Sequence, residues 1–225
     1  MNPLEVIVPA VAAAGLPAWA ALHPRAQLFG PTVCTLRNTC AVTFDDGPNP
    51  LVTPKLLALL EKHRVSATFF VLGKYVEQNP QLTAEIAAAG HAIGNHTFAH
   101  PSLLFFSQQQ IVNELKRCET AVSAVTGQRM NLVRPPFGFR CPQFHSAVQK
   151  MGLPKVVMWS VSGHDWNQQP AARVRRRLQS VKPGDIVLLH DGDHRVATAD
   201  RSHTLQALDY WLPRWQDAGL KFVTV

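Results

Sequence analysis

Two short stretches bring together side chains suited to hydrolytic chemistry. "HTFAH" sets His96 and His100 four residues apart, and "TFDDGP" ends an apolar run on Asp45 and Asp46. On a helical turn an i, i+4 spacing puts both imidazoles on one face, where they can grip one cation. Alone the pair is weak evidence, because histidines at this spacing also occur on ordinary surfaces and in cores. A carboxylate as third ligand changes the balance, and the aspartate turn offers two. Three protein ligands leave a coordination place for water, the arrangement of a catalytic rather than a structural zinc. The aspartate pair needs its own explanation, since adjacent like charges drawn towards an interior repel each other and lose hydration. Either Asp, Gly and Pro are building a tight turn there, or something positive sits beside them.

The segments that must position these residues alternate between two periods. "CAVTF", "SATFFVLG", "HAIGNH", "NLVRPP", "KVVMWSV", "DIVLLHDG" and "KFVTV" read as short strands. Between them lie helical patterns: "TPKLLALLEKH", "PQLTAEIAAAG" closed by Gly90, and 108–126 stopped by Gly127. Further helical stretches fall near 142–151, 171–180 and 203–217. Alternation of this kind predicts an α/β domain with a mainly parallel sheet and a strand count close to that of a barrel. In such a barrel, chemistry sits at the C-terminal strand ends, where the unusual residues lie.

At this point the chain resembles a known family. "TFDDGP" (43–48), "HTFAHP" (96–101), "RPPFG" (134–138), "DW" (165–166) and "LLH" (188–190) stand in the order of the five motifs of the polysaccharide deacetylases. This is the NodB-homology domain, carbohydrate esterase family four. The resemblance runs from about residue 39 to the C-terminus, dividing the chain into an N-terminal segment, 1–38, and a catalytic domain, 39–225. It implies a distorted (β/α) barrel of seven strands, a divalent metal (commonly zinc, with cobalt as a substitute) and hydrolysis of acetyl groups on sugars.

Carried over by position, Asp46, His96 and His100 resemble the metal ligands and Asp45 the general base. Arg134 resembles the residue that pairs with that base, and a guanidinium can hold a carboxylate in two-point geometry. The Phe137 backbone N–H resembles the oxyanion donor, with Phe where relatives often carry Tyr. His190 resembles the general acid and Asp165 the carboxylate that orients it. Trp166 and Leu188 resemble the lining of a small pocket for the acetyl methyl group. Ser162 is a departure, standing where many relatives have a second aspartate. His91 and Asn95 read as structural support for the ligand motif, and His194, in the loop after His190, as a solvated loop histidine or else a residue facing the substrate. His23, His63, His145, His164 and His203 receive no role.

Charge and composition add bounds. The net charge of +7 suits any anionic partner, but Arg173, Arg175, Arg176 and Arg177 lie in a helical stretch and read as a solvated face. There is no RNP-type motif, zinc-knuckle pair or basic zipper, so nucleic acid is not an expected partner. The implied partner is an acetylated polysaccharide or oligosaccharide, and nothing in the chain calls for an obligate protein partner. Residues 6–22 are apolar and uncharged, near the short limit for a membrane span, yet preceded by Glu5 and broken by Pro9 and Pro17. They read as a packed segment or lead-in, a membrane anchor, or a degraded export signal. An envelope or secreted placement suits that substrate and segment, and a cytoplasmic one stays open. Cys34 and Cys40 are candidates for a bridge in an oxidising compartment, or else free thiols.

Overall fold

The computed structural model describes residues 17–225. The described chain runs β1 (Ala41–Gly47), α1 (Thr53–Lys62), β2 (Thr68–Val71), α2 (Gly73–Gln78), α3 (Pro80–Ala88), β3 (Ala92–Asn95) and α4 (Gln108–Thr126). It continues through β4 (Leu132–Val133), α5 (Pro142–Lys150), β5 (Lys155–Val156), β6 (Val161–Ser162), α6 (Ala171–Leu178), β7 (Ile186–His190) and α7 (Ser202–Asp217). All pairings are parallel, in the order β5-β4-β3-β2-β1-β7-β6. The two end strands do not pair with each other, so the seven-stranded sheet curls into an open barrel, the α/β architecture expected from the sequence.

Strand alternation divides the side chains into two layers. Val42 and Phe44 of β1, Phe69 and Val71 of β2, and Val187 and Leu189 of β7 face outward into the main core beneath the helices. Their neighbours Ala41, Phe70, Ile186 and Leu132 face inward and fill the base of the barrel. Following the inward positions up β1 gives Ala41, Thr43 and Asp45; along β7 they are Ile186, Leu188 and His190, in matched register. The barrel lumen therefore passes from apolar to ionisable along each strand. Its chemistry lies at the C-terminal rim.

Space inside is limited. An added Cβ on Gly94 of β3 would lie 2.5 Å from two carbons of the Phe70 ring, which is fully buried and has the Arg134 guanidinium 4.2 Å from its centroid. Gly94→Ala should cost about 1–3 kcal/mol by overpacking. Denaturant unfolding of the variant, with an unchanged m-value, is the check.

Two expectations change. "KFVTV" forms no strand: it makes one bridge, Cys40 to Phe222, and the Val225 N–H donates to Thr68 Oγ1. Both edges of β1 are already taken by β2 and β7, so the C-terminal segment has no free edge to extend along. "KVVMWSV" splits into β5 and β6, which stand at opposite ends of the sheet. Cys34, Cys40, Cys118 and Cys141 are all free thiols, and Cys40 Sγ donates to the Lys182 carbonyl. The arginine run on α6 is mainly solvated, with Arg175 set 5.1 Å over the Tyr210 ring.

Most of the apolar N-terminal stretch lies outside the described residues. Residues 17–22 form a helical turn from which Trp19 and Leu22 project half exposed. No described helix is long and apolar enough to cross a membrane. Arg140, itself buried, donates to the carbonyls of Ala20, His23 and Ala26, while its backbone N–H donates to Ala21. One side chain thus ties the lead-in to the loop that follows Phe137.

Candidate active site

The two aspartates reach one cavity because the backbone breaks the strand alternation between them. Successive residues of a regular strand point to opposite faces. Asp46 instead takes a left-handed conformation, φ 70°, and the β1–β2 register slips between Asp45 and Gly47. Both carboxylates then face the same cavity, about 490 Å³, at the barrel rim. Room for this turn depends on glycine: an added Cβ on Gly192 would sit 1.9 Å from the Asp46 carbonyl oxygen. Asp191 and Gly192 donate their N–H groups to the Asp45 carbonyl, binding the loop after β7 to the turn after β1.

His96 and His100 converge on Asp46, though not by a helical turn as their spacing suggests. They lie in a loop following β3, with left-handed Thr97 (φ 70°) and His100 (φ 65°) folding the chain back. Asn95 pins that loop: its Nδ2 donates to the Leu115 carbonyl and its Oδ1 accepts from the Thr97 N–H. His91 Nδ1 accepts from the Ala67 N–H, so both residues act as supports, as the sequence suggests.

His96 Nε2 lies 3.6 Å and His100 Nε2 3.3 Å from Asp46 Oδ1. These separations match the roughly 3.3 Å edge of a tetrahedron whose arms are 2.0–2.1 Å, the geometry of zinc with nitrogen and oxygen ligands. His96 Nδ1 is 2.7 Å from the Arg134 carbonyl oxygen, which can only accept. Nδ1 therefore carries a proton, and Nε2 is the ring atom turned towards the carboxylate. Asp46 Oδ1 and His100 Nδ1 are buried without a hydrogen-bond partner. A buried carboxylate oxygen left bare between two imidazole nitrogens is what a cation site looks like, and the donor set fits a divalent ion. Burial, with His96 adding to it, pushes His100 down to about 3, leaving its imidazole neutral and able to ligate. Burial works to raise Asp46, but His194, His100 and His96 outweigh it and hold the carboxyl well below the usual range.

Asp45 faces a different cation. Arg134, fully buried, donates through Nη1 to Asp45 Oδ1 at 2.7 Å and to Thr43 Oγ1 at 2.8 Å. Its Nε and Nη2 donate to the Val157 and Met158 carbonyls. The contact with Asp45 is one-point, not the two-point clasp expected. The other arms are committed to the open end of β5, where no adjoining strand takes those carbonyls. The guanidinium thus anchors both the carboxylate and the barrel wall.

Across the cavity, His190 Nδ1 is 2.8 Å from Asp165 Oδ1, and its N–H donates to Asp165 Oδ2. Thr204 Oγ1 donates to the same Oδ2, and His203 Nε2 donates to the Asp165 carbonyl. With Nδ1 committed to Asp165, Nε2 is the free edge of the His190 ring. Burial alone would lower His190, but the Asp165 charge prevails and lifts it to about 9. Trp166 lies edge-on to His190, 6.1 Å between centroids, and lines the cavity with Leu188. Phe137, left-handed at φ 59° and half exposed, sets its ring edge against His100 at 4.5 Å.

Of the ten residues given a site role from the sequence, eight line this cavity, and Arg134 and Asp165 stand buried behind Asp45 and His190. Missed were Thr43, Thr204 and His203, whose types carry no signal without the fold. Of the two readings of His194 the structure selects the cavity-facing one: it lines the cavity and stacks on His100 at 4.1 Å and 16°. Asp191 is also buried in the rim, accepting from Thr53 Oγ1 at 2.5 Å, and burial lifts it to about 7.

Comparison with known proteins gives the family. A family profile described as Polysaccharide deacetylase matches residues 32–156. A chitooligosaccharide deacetylase of Bradyrhizobium is 38% identical over 188 residues, covering 80% of this chain and 85% of that protein. A peptidoglycan-N-acetylglucosamine deacetylase of Listeria monocytogenes is 38% identical over 186 residues, 82% of this chain but 37% of its own length. Among solved structures, the Bc1960 peptidoglycan N-acetylglucosamine deacetylase superposes with a TM-score of 0.78 at 32% identity, covering 85% of this chain and 89% of that one.

Proposed function

The chain belongs to the polysaccharide deacetylase family, hydrolases acting on carbon–nitrogen bonds other than peptide bonds, and from that premise we propose that it removes N-acetyl groups from an acetylated glycan. The substrate class is a chitin-like oligosaccharide or peptidoglycan, in line with the named activities of its relatives. The observation that carries the reading is the meeting of Asp46, His96 and His100 with two separately supported acid–base groups around one cavity. The catalytic unit is residues 39–225, with 1–38 as a lead-in.

Asp46, His96 and His100 would hold a divalent cation, most readily Zn²⁺. When bound it supplies a Lewis acid and lowers the pKa of its water. Asp45, held by Arg134, takes the proton from the attacking water as general base. The Phe137 N–H donates to the oxyanion that develops on the acetyl oxygen. His190 delivers its Nε2 proton to the leaving amine, while Asp165 keeps Nδ1 protonated and the ring aimed. Leu188 and Trp166 exclude water around the acetyl methyl.

His190 sets the alkaline limit. An acid is useful while protonated, so a raised pKa keeps it competent through neutral pH, and kcat/KM falls as pH rises through that value. A bound dication opposes the rise, so the limb of the loaded enzyme lies below 9. Asp165→Asn removes the charge that lifts His190, and the alkaline limb should move to lower pH by about a unit or more. A pH profile of kcat/KM for both proteins is the check. The same linkage acts on stability: the contribution of His190 is fully present below pH 6.5 and lost as pH rises towards 9 in the metal-free protein.

The overall reading is tested by acetate release from chitopentaose, peptidoglycan fragments and acetylated xylan, each with zinc and with chelator. Chelator-sensitive release from an N-acetylated member supports it; metal-independent release sinks it. A second reading, deacetylation of a lipid-linked sugar, draws on the half-exposed Trp19, Leu22 and Leu28 of the lead-in. Release only from a detergent-solubilised lipid-linked sugar would favour that one.

A further inference from the structure

We propose that His194 is the positioning residue of Asp46, holding its outer carboxylate oxygen so that a single oxygen faces the two ligand histidines. The inference rests on the cation site proposed above. Asp46 Oδ1 points to His96 and His100, whereas Oδ2 faces His194 Nδ1 at 3.8 Å. Asp46 Oδ1 is buried without a hydrogen-bond partner, and among the described residues His194 is the charged-group neighbour on the Oδ2 side. His96 is pinned through the Arg134 carbonyl and Asp45 through the guanidinium, whereas Asp46 Oδ1 and the His100 ring Nδ1 are both left without a hydrogen-bond partner. At 3.8 Å the contact is about 1 Å longer than an N–H···O hydrogen bond, a close polar approach of nitrogen to carboxylate oxygen.

The loop is built to hold that ring where it is. The His194 ring lies flat on His100 and edge-on to Phe137, 5.5 Å between centroids. Its carbonyl accepts from Lys74 Nζ at 2.6 Å. Asp193, the preceding residue, is gripped by Arg195 at 3.0 and 2.9 Å and by buried Arg201 at 3.1 Å, and its carbonyl accepts from Tyr75 at 2.8 Å. Four side chains from three parts of the chain thus fix two consecutive residues, while the His194 side chain itself stays 28% exposed. These bonds pin the backbone that carries the ring, and stacking on His100 sets a side chain that contributes little core burial beside the carboxylate. Outer partners of metal ligands orient them, and losing one weakens metal binding by about 10–100-fold.

The test measures Zn²⁺ affinity of the full chain by competition with a chromophoric chelator, and the visible spectrum of the Co²⁺-loaded protein. His194→Ala should bind Zn²⁺ about 10–100-fold more weakly. His194→Gln, whose amide can still donate to Asp46, should recover most of that loss. The Co²⁺ band shape should match wild type in both, because the direct donors are unchanged. An affinity within about threefold of wild type in His194→Ala, or no recovery in His194→Gln, would overturn the proposal in favour of a simple wall. A changed Co²⁺ spectrum would overturn it differently, by making His194 a ligand itself. If wild type binds no divalent ion, the cation site falls and this inference with it; if wild type binds and His194→Ala binds equally, only the inference falls.

Discussion

Asp45→Asn is expected to lower kcat by about 10²–10⁴-fold, the contribution typical of a general base. The substitution is nearly isosteric, and the Asn Oδ1 can still accept from Arg134 Nη1, now 2.7 Å from the carboxylate. It leaves Asp46, His96 and His100 in place, so Zn²⁺ affinity should stay within about tenfold, a smaller change than loss of a direct ligand. There is also a stability cost. Arg134 is fully buried, and orphaning one member of a buried ion pair costs about 3–5 kcal/mol. The low end applies here, because Thr43, Val157 and Met158 still accept from the guanidinium. Kinetics should therefore be taken below the variant's melting temperature, with zinc content measured on the same sample. A kcat above about a tenth of wild type in folded, metal-loaded Asp45→Asn would remove Asp45 from the role of base.

The parts of the site legible in the sequence share a property: their chemistry is decided within a few residues. Two adjacent aspartates against an apolar run call for a tight turn or a positive neighbour, and a His-x-x-x-His pair offers two ligands that a third carboxylate could complete. Their order with "RPPFG", "DW" and "LLH" then fixes the remaining partners through the family resemblance. What could not be read is decided by packing. The convergence of His96 and His100 looks helical from its spacing, but left-handed backbone at Thr97 and His100 achieves it within a loop. Arg134 promises a two-point clasp, yet the free carbonyls at the end of β5 compete for its arms. "KFVTV" has strand composition and no vacant edge to join. The sequence leaves His194 open between a solvated loop residue and a cavity-facing one, because two of the side chains that fix its loop, Lys74 and Tyr75, lie some 120 positions away along the chain.

His100→Ala should abolish turnover and, in the same protein, remove the response of thermal stability to zinc. The two effects share one cause. His100 Nε2 and His96 Nε2 flank Asp46 Oδ1, and with one imidazole gone the remaining pair no longer encloses a cation. A ligand that binds only the folded state stabilises it by about 2.7 kcal/mol at a hundredfold excess over its Kd. Wild type should therefore melt higher with zinc and lower with chelator, whereas His100→Ala should melt at one temperature in both. The metal-free variant need not be less stable than metal-free wild type. Burial already holds His100 neutral, so its removal takes away no buried charge, and its Nδ1 makes no hydrogen bond to lose. What the fold loses is the ring's contact with His96, Phe137 and His194, all at the cavity rim rather than in the core. A variant that folds like wild type, ignores zinc and releases no acetate would tie the chemistry to the cation. Retained zinc-dependent melting would place the cation elsewhere, and acetate release without that response would separate hydrolysis from the metal altogether.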